Sequence, residues 1–316
     1  MNKKNLGRSD IKIAPIVFGG NVFGWTANEA RSFELLDAFV ANGFNCIDTA
    51  DVYSAWIPGN KGGESETIIG KWMKARGNRD KVVIATKFGA ELSPDKKGTS
   101  KAYAVKAVED SLRRLQTDYI DLYQTHMDDE TNPLEDTLEG LDTLVKSGKV
   151  RIIGASNLTA DRLSESLKIS DKKHLARYQT LQPEYNLYDR QGYEAELETV
   201  CREQGLGVIT YFSLASGFLS GKYRTDKDVE SSSRARKVKN YMNPRGQRIL
   251  TALDIISKEH NATPTQVSLA WLMSRPSVTA PIVSATNLEQ LKDLMKSADL
   301  KLKPEAIEDL NDASAE

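Results

Sequence analysis

The sequence predicts a closed (β/α)8 barrel, a TIM barrel, with an N-terminal hairpin and a C-terminal helix, spanning residues 1–316 as one domain. Three observations predict it. Eight short apolar runs alternate with amphipathic segments from end to end, the rhythm of parallel βαβ units, and eight such units suggest closure rather than an open sheet. No linker or low-complexity tract divides them. Three of the runs end on ionisable side chains, Asp48, Lys87 and His126, at equal intervals of 39 residues, about one strand, one helix and their loops. If these runs are neighbouring parallel strands, the three groups converge at one end of the sheet. That end is where barrel enzymes keep their chemistry.

In chain order, the first dozen residues, with GRSD between short alternating segments, read as a hairpin capping the barrel bottom. The strands are IAPIVFG (13–19), FNCID (44–48), VVIATK (82–87), IDLYQTH (120–126), VRIIGAS (150–156), TLQPEY (180–185), GVITYF (207–212) and VTAPIVS (278–284). Between them, SKAYAVKAVEDSLRRL places Val105, Val108, Leu112 and Leu115 on one helical face, with Ser100 as N-cap. NPLEDTLEGLDTLVKSG groups Leu138, Leu141 and Val145 and stops at Gly148. TADRLSESLKI and PTQVSLAWLMSR follow the same period. The tail KLKPEAIEDLNDASAE starts a terminal helix near Pro304.

Composition narrows the function classes. A net charge of −1 gives no electrostatic case for nucleic acid or membrane partners. Nothing approaches the ~20 apolar residues that span a bilayer, and MNKKNLGRSD has no apolar stretch of signal-peptide length. Cys46 and Cys201 form neither a disulfide framework nor a zinc spacing, so no metal is expected and a reducing, cytoplasmic setting is the default. Cys46, inside an apolar strand, reads as a buried small hydrophobe. One segment, 231–248, holds six basic residues and no acidic one. It reads equally as a solvated face or as an anion contact after the seventh strand.

At this point the chain resembles the aldo-keto reductase superfamily over essentially its whole length. FNCIDTADVY, Lys87 in IATKFG, His126 in YQTHMDD, GASN (154–157), QPEYN (182–186) and SGFLSGKY (216–223) match the family's blocks in order. The resemblance implies a catalytic tetrad of Tyr53, Asp48, Lys87 and His126. It also implies a nicotinamide cofactor held without a Rossmann domain, and no GxGxxG follows a strand here. In the chemistry this allows, Tyr53 gives a proton to the developing alkoxide. A nearby ammonium, Lys87, would lower the phenol pKa towards the working range. Asp48 would hold the cation, and His126 would orient the substrate oxygen. Taken singly, each residue has a plainer reading: Asp48 as a turn cap, Lys87 as a strand end, His126 and Tyr53 as packing. Their common register on successive strands outweighs it. Asp51 matches no catalytic position and reads as structural.

The resemblance carries further contacts to the cofactor. Ser156, Asn157 and Gln182 would hold the carboxamide, which needs both donors and acceptors. Tyr211 would stack on the nicotinamide. Ser213, Leu214, Ser216, Gly217 and Lys222 would border the pyrophosphate, with Ser213 standing where the family often has proline. Gly19, Gly20 and Asn21 follow the first strand, the last two smaller than the family's usual residues. Ser284, Thr286 and Gln290, in PIVSATNLEQL, align with the segment that grips the adenosine 2′-phosphate, but no cation is present in the motif. The family therefore favours NADP(H) over NAD(H), while this motif weakens the preference. Arg234, Arg236 or Lys237 could supply the missing charge. Trp56, with Phe23 or Trp25, could wall the site for a small-molecule carbonyl substrate. Channel β-subunits resemble the same family. The lack of an extension before the barrel is expected to favour a free enzyme over such a docking subunit. A Schiff-base lyase using Lys87 is a third possibility. Nothing marks an oligomer interface.

Overall fold

The computed structural model describes residues 2–230 and 235–316. Strands β1 (Lys4–Asn5) and β2 (Lys12–Ile13) pair antiparallel as the expected hairpin. The barrel follows: β3 (Val17–Gly19), β4 (Cys46–Asp48), β5 (Val83–Phe88), β6 (Ile120–Thr125), β7 (Val150–Ser156), β8 (Tyr178–Gln182), β9 (Gly207–Thr210) and β10 (Val278–Val283). All neighbours are parallel, and β10 closes on β3. All eight strands fall on the expected runs. The largest boundary difference is at β3, which begins at Val17 rather than at residue 13, while β8 begins at Tyr178 and stops before Pro183, where the chain has no N–H for the ladder.

Two clusters form the core. Side chains pointing out of the barrel pack against the surrounding helices, including the fully buried Trp72 and Trp271, each burial contributing roughly 1.5–3 kcal/mol. Inside the barrel, Val17, Cys46, Val83, Ala85, Leu122, Ile209 and Ala280 meet Leu6, Ile11 and Ile13 of the hairpin, which fill the floor. The hairpin lies against the barrel rim without a gap: a Cβ at Gly7 (φ +60°) would stand 2.1 Å from the Gln179 carbonyl oxygen. Cys46 and Cys201 are free and buried.

The helices start where their caps dictate. Ser100 accepts from the Tyr103 N–H to open Lys101–Leu115, and Thr159 accepts from the Arg162 N–H to open Ala160–Lys173. Proline stands first in Pro244–Glu259, Pro264–Ser274 and Pro304–Ser314. One expectation needs correction. Val108, Leu112 and Leu115 are buried, but Val105 lies at the solvent edge of that face, and Ala104 and Ala107 take the inner positions. The small alanines let the helix approach the sheet closely. Among the described residues no helix is long and apolar enough to cross a membrane.

Candidate active site

The barrel register brings Asp48, Tyr53, Lys87 and His126 to its C-terminal mouth. Asp48 is the last residue of β4 and is fully buried. The chain beyond it keeps pairing with β5: the Thr49 N–H donates to Ala85 O and the Asp51 N–H to Lys87 O. That pairing turns Tyr53 back over Lys87. The Lys87 ammonium has three protons and three acceptors, Asp48 Oδ2 at 2.6 Å, Thr49 O at 2.8 Å and Tyr53 Oη at 2.9 Å. The Tyr53 hydroxyl also lies 3.4 Å from Asp48 Oδ2. His126 directly follows β6, donates its N–H to Phe88 O, and places its ring 6.1 Å from the Tyr53 ring.

Burial governs the charges. It pushes the Lys87 ammonium down, but Asp48 and Tyr53 outweigh it and hold the group above its ordinary value, so the cation persists. For Tyr53, burial raises the phenol, Lys87 pulls it down and Asp48 raises it again; the result lies above the ordinary phenol value. This corrects the expectation that Lys87 brings Tyr53 towards neutrality. The cation acts in the expected direction, but burial and the carboxylate are stronger. His126 is brought down to about 3, first by burial and then by Lys87, and is therefore neutral at physiological pH. Its Nδ1 is buried without a partner among the described residues. The site thus holds a neutral phenol with a cation against its oxygen, beside a neutral imidazole.

Above these groups opens a cavity of about 1010 Å³, walled by Tyr53, Asp48 and His126 on one side. Lys87 lies sealed beneath Asp48 and Tyr53. Ser156, Asn157, Gln182 and Tyr211 form one corner. Ser156 Oγ donates to Gln182 O, Asn157 Nδ2 donates to His126 O, and the Tyr211 hydroxyl donates to Asn157 Oδ1 at 2.8 Å. Gln182 Nε2 reaches Asp48 Oδ1 at 2.9 Å.

Next comes the loop after β9. Ser213, Leu214, Ser216, Gly217 and Lys222 all line the cavity there. Ala215, Ser216 and Gly217 take left-handed φ of +47°, +58° and +94°, in a tight turn where the Ala215 N–H donates to Phe212 O and the Gly217 N–H to Leu214 O. The Ser216 hydroxyl is buried with no partner among the described residues. Lys222 lies against the loop: a Cβ at Gly217 would sit 3.4 Å from its Nζ. A buried, unused hydroxyl and a cation on the cavity wall fit a phosphate group.

At the far end, Ser284 Oγ lies within bonding distance of Gly19 O and Asn21 Oδ1, and the Thr286 N–H and hydroxyl both donate to Gln290 Oε1. Gly19, Asn21, Ser284, Thr286 and Gln290 line the cavity as expected. Gly20 does not belong with them. It opens a helical turn and faces the other way, its carbonyl accepting from Ser65 Oγ and its missing Cβ directed at Ser65 and the Asp48 carbonyl. Arg236 and Lys237 also line the cavity, with Lys237 Nζ 3.7 Å above the Phe212 ring. Arg234 lies outside the described residues.

The aromatic wall is Trp56 and Trp25, 5.7 Å apart edge to face. Trp56 is 48% exposed. Phe23 is a core residue instead, fully buried and stacked on Phe18. Sequence reasoning missed Met127, which is 46% exposed beside His126, and Asp293, which joins the far wall. Met127 could have been found as the residue after the predicted strand-end histidine. Asp51 is buried outside the cavity wall, its carboxylate oxygens lacking a well-placed partner among the described residues.

Among the curated proteins that resemble the chain along nearly its full length are an oxidoreductase, a channel subunit and a dehydrogenase. One described as "Uncharacterized oxidoreductase YrpG" of Bacillus subtilis (strain 168) is 34% identical over 315 residues, covering 97% of this chain and 94% of its own. A probable voltage-gated potassium channel subunit beta of Oryza sativa subsp. japonica is 32% identical, covering 98% and 95%. An aryl-alcohol dehydrogenase [NADP(+)] of Phanerodontia chrysosporium is 31% identical, covering 96% and 83%. Residues 15–315 match the model of the Aldo/keto reductase family. With this match and an eight-stranded parallel barrel carrying the site at its C-terminal mouth, the chain belongs to the aldo/keto reductase family.

Proposed function

We propose that the protein is an NAD(P)H-dependent reductase that converts an aldehyde or ketone to the alcohol, with Tyr53 as the proton donor. The observation that carries this reading is the Lys87 ammonium held between Asp48 Oδ2 and the Tyr53 hydroxyl on the cavity wall. A nicotinamide cofactor supplies the hydride when bound. The corner of Ser156, Asn157, Gln182 and Tyr211 suits its carboxamide and ring, the loop from Ser213 to Lys222 its pyrophosphate, and Gly19, Asn21, Ser284, Thr286 and Gln290 its adenosine end. Neutral His126 positions the carbonyl oxygen. Tyr53 gives that oxygen its proton, and Lys87 stabilises the phenolate left behind, held in place by Asp48. In the alcohol-oxidising direction Tyr53 takes the proton back.

NADP(H) is the favoured cofactor, with a modest margin over NAD(H), because the groups at Ser284, Thr286 and Gln290 are uncharged. The two tryptophans and Met127 favour a carbonyl compound with a flat apolar substituent. The site does not suit Schiff-base chemistry, since Lys87 is charged, fully hydrogen-bonded and sealed from the cavity. The Oryza sativa relative supports a second reading, a channel-subunit-like docking protein. Turnover separates the two. Loss of reduced-cofactor absorbance with a panel of aldehydes, ketones and sugars supports the reductase. No turnover with any of them, together with co-purification of one membrane protein, supports the docking subunit.

A further inference from the structure

The layer of the barrel just beneath the cavity is polar, and one member of it has no part in the scheme above. Gln124 is fully buried on β6, two residues before His126. Its Nε2 lies 3.4 Å from Asp48 Oδ1, and its Oε1 accepts from Gln182 Nε2 at 3.3 Å. Gln182 Nε2 reaches the same Asp48 oxygen at 2.9 Å. The carboxylate is therefore divided: Oδ2 holds the Lys87 cation, and Oδ1 faces two neutral amides. Room for the Gln124 side chain comes from Gly154 on the adjoining strand. A Cβ there would press on Gln124 Cγ at 3.2 Å and collide with Thr180 Oγ1 at 2.2 Å.

We propose that Gln124 is a positioning residue of the reduction, closing a buried triangle with Asp48 and Gln182 that fixes the Lys87–Tyr53 pair relative to the cofactor corner. The inference rests on the reductase reading. Its physical basis is the sharing of one carboxylate charge. Amide donors on Oδ1 draw charge away from Oδ2, which lies near the Tyr53 hydroxyl, where a bare carboxylate opposes formation of the phenolate. The same amides hold Gln182 in register with Asp48. An apolar side chain at 124 would leave one of two donors to Oδ1 and no acceptor on that side for Gln182.

The test uses Gln124→Leu and Gln124→Glu with NADPH and 4-nitrobenzaldehyde, folding being checked by circular dichroism. Gln124→Leu is expected to lower kcat about tenfold across neutral pH while KM for NADPH changes less than about twofold. A protonated glutamic acid keeps both the donor and the acceptor of the amide. Gln124→Glu should therefore approach the parent rate at low pH and fall away as its carboxyl ionises beside Asp48. Rates and pH profiles superimposable on the parent's for both variants overturn the proposal, as does a Gln124→Glu defect that does not change with pH.

A second readout needs no turnover. The ultraviolet phenolate titration of Tyr53, taken as the difference from Tyr53→Phe, should move to higher pH in Gln124→Leu, and an unmoved titration overturns the proposal. If the parent reduces no carbonyl probe, the reductase reading falls, and this titration still decides whether Gln124 sets the surroundings of Tyr53.

Discussion

The Lys87 ammonium stands 2.9 Å from the Tyr53 hydroxyl oxygen and donates its third proton there. The other two go to Asp48 and the Thr49 carbonyl, so no proton of the cation is left over. This saturation ties the acid to a single geometry. Tyr53→Phe is expected to lower carbonyl reduction by about 10²–10⁴-fold while fluorescence quenching by NADPH keeps its midpoint. Near-parental turnover would remove Tyr53 from the role of proton donor.

Breaking the buried pair should cost more than removing it. Lys87→Met leaves Asp48 charged and without its cation at the buried floor of the cavity, a loss of about 3–5 kcal/mol in urea unfolding. The double variant Lys87→Met with Asp48→Asn should recover part of that loss while remaining inactive. A double variant less stable than Lys87→Met alone would contradict this account.

Two buried groups give opposite pH dependences of stability. His126 is lowered to about 3 by burial and Lys87, so below its ordinary pKa of 6.5 the unfolded chain binds a proton that the folded chain refuses. Its contribution is present above that value and is lost as pH falls towards 3. Asp51 is raised to about 8, first by burial and then by Glu66. Between its ordinary value of 3.8 and about 8 the folded chain holds the extra proton, so stability falls as pH rises across that window, by at most about 1.4 kcal/mol per pH unit. Asp51→Asn should remove this decline between 3.8 and about 8 in urea unfolding and leave the change above that window unaltered. An identical decline in the variant would show that Asp51 titrates normally.

The adenosine end predicts a tunable coenzyme preference. Thr286→Arg would add a cation beside Gln290 and should raise the NADPH-over-NADH ratio of kcat/KM by roughly tenfold, the scale of one charge-assisted hydrogen bond. Neutralising Arg236 and Lys237 together should narrow the parent ratio if either reaches the phosphate. Paired kinetics with both coenzymes measure each change, and an unmoved ratio in Thr286→Arg would place the phosphate elsewhere.

The strands were legible because a barrel buries both faces of each one, leaving near-continuous apolar runs such as VVIAT and IIGAS. Asp48, Lys87 and His126 were legible because they interrupt those runs at their ends. What stayed hidden depends on direction rather than residue type. Phe23 and Trp25 are two residues apart and equally aromatic, and only the turn between them decides that one enters the core and the other the cavity. Gly20 lies between two lining residues yet faces a helix. Gln124 sits inside a strand, one residue before its end, where sequence alone does not reveal that its amide meets a carboxylate contributed from residue 48.

The hairpin stopper at the opposite end has a kinetic meaning. With Leu6, Ile11 and Ile13 wedged into the cylinder's base, the described residues leave the chamber no rear exit. Everything that visits Asp48 and Gln182 must arrive and depart through the same doorway, so a molecule lodged deepest is the first in and the last out.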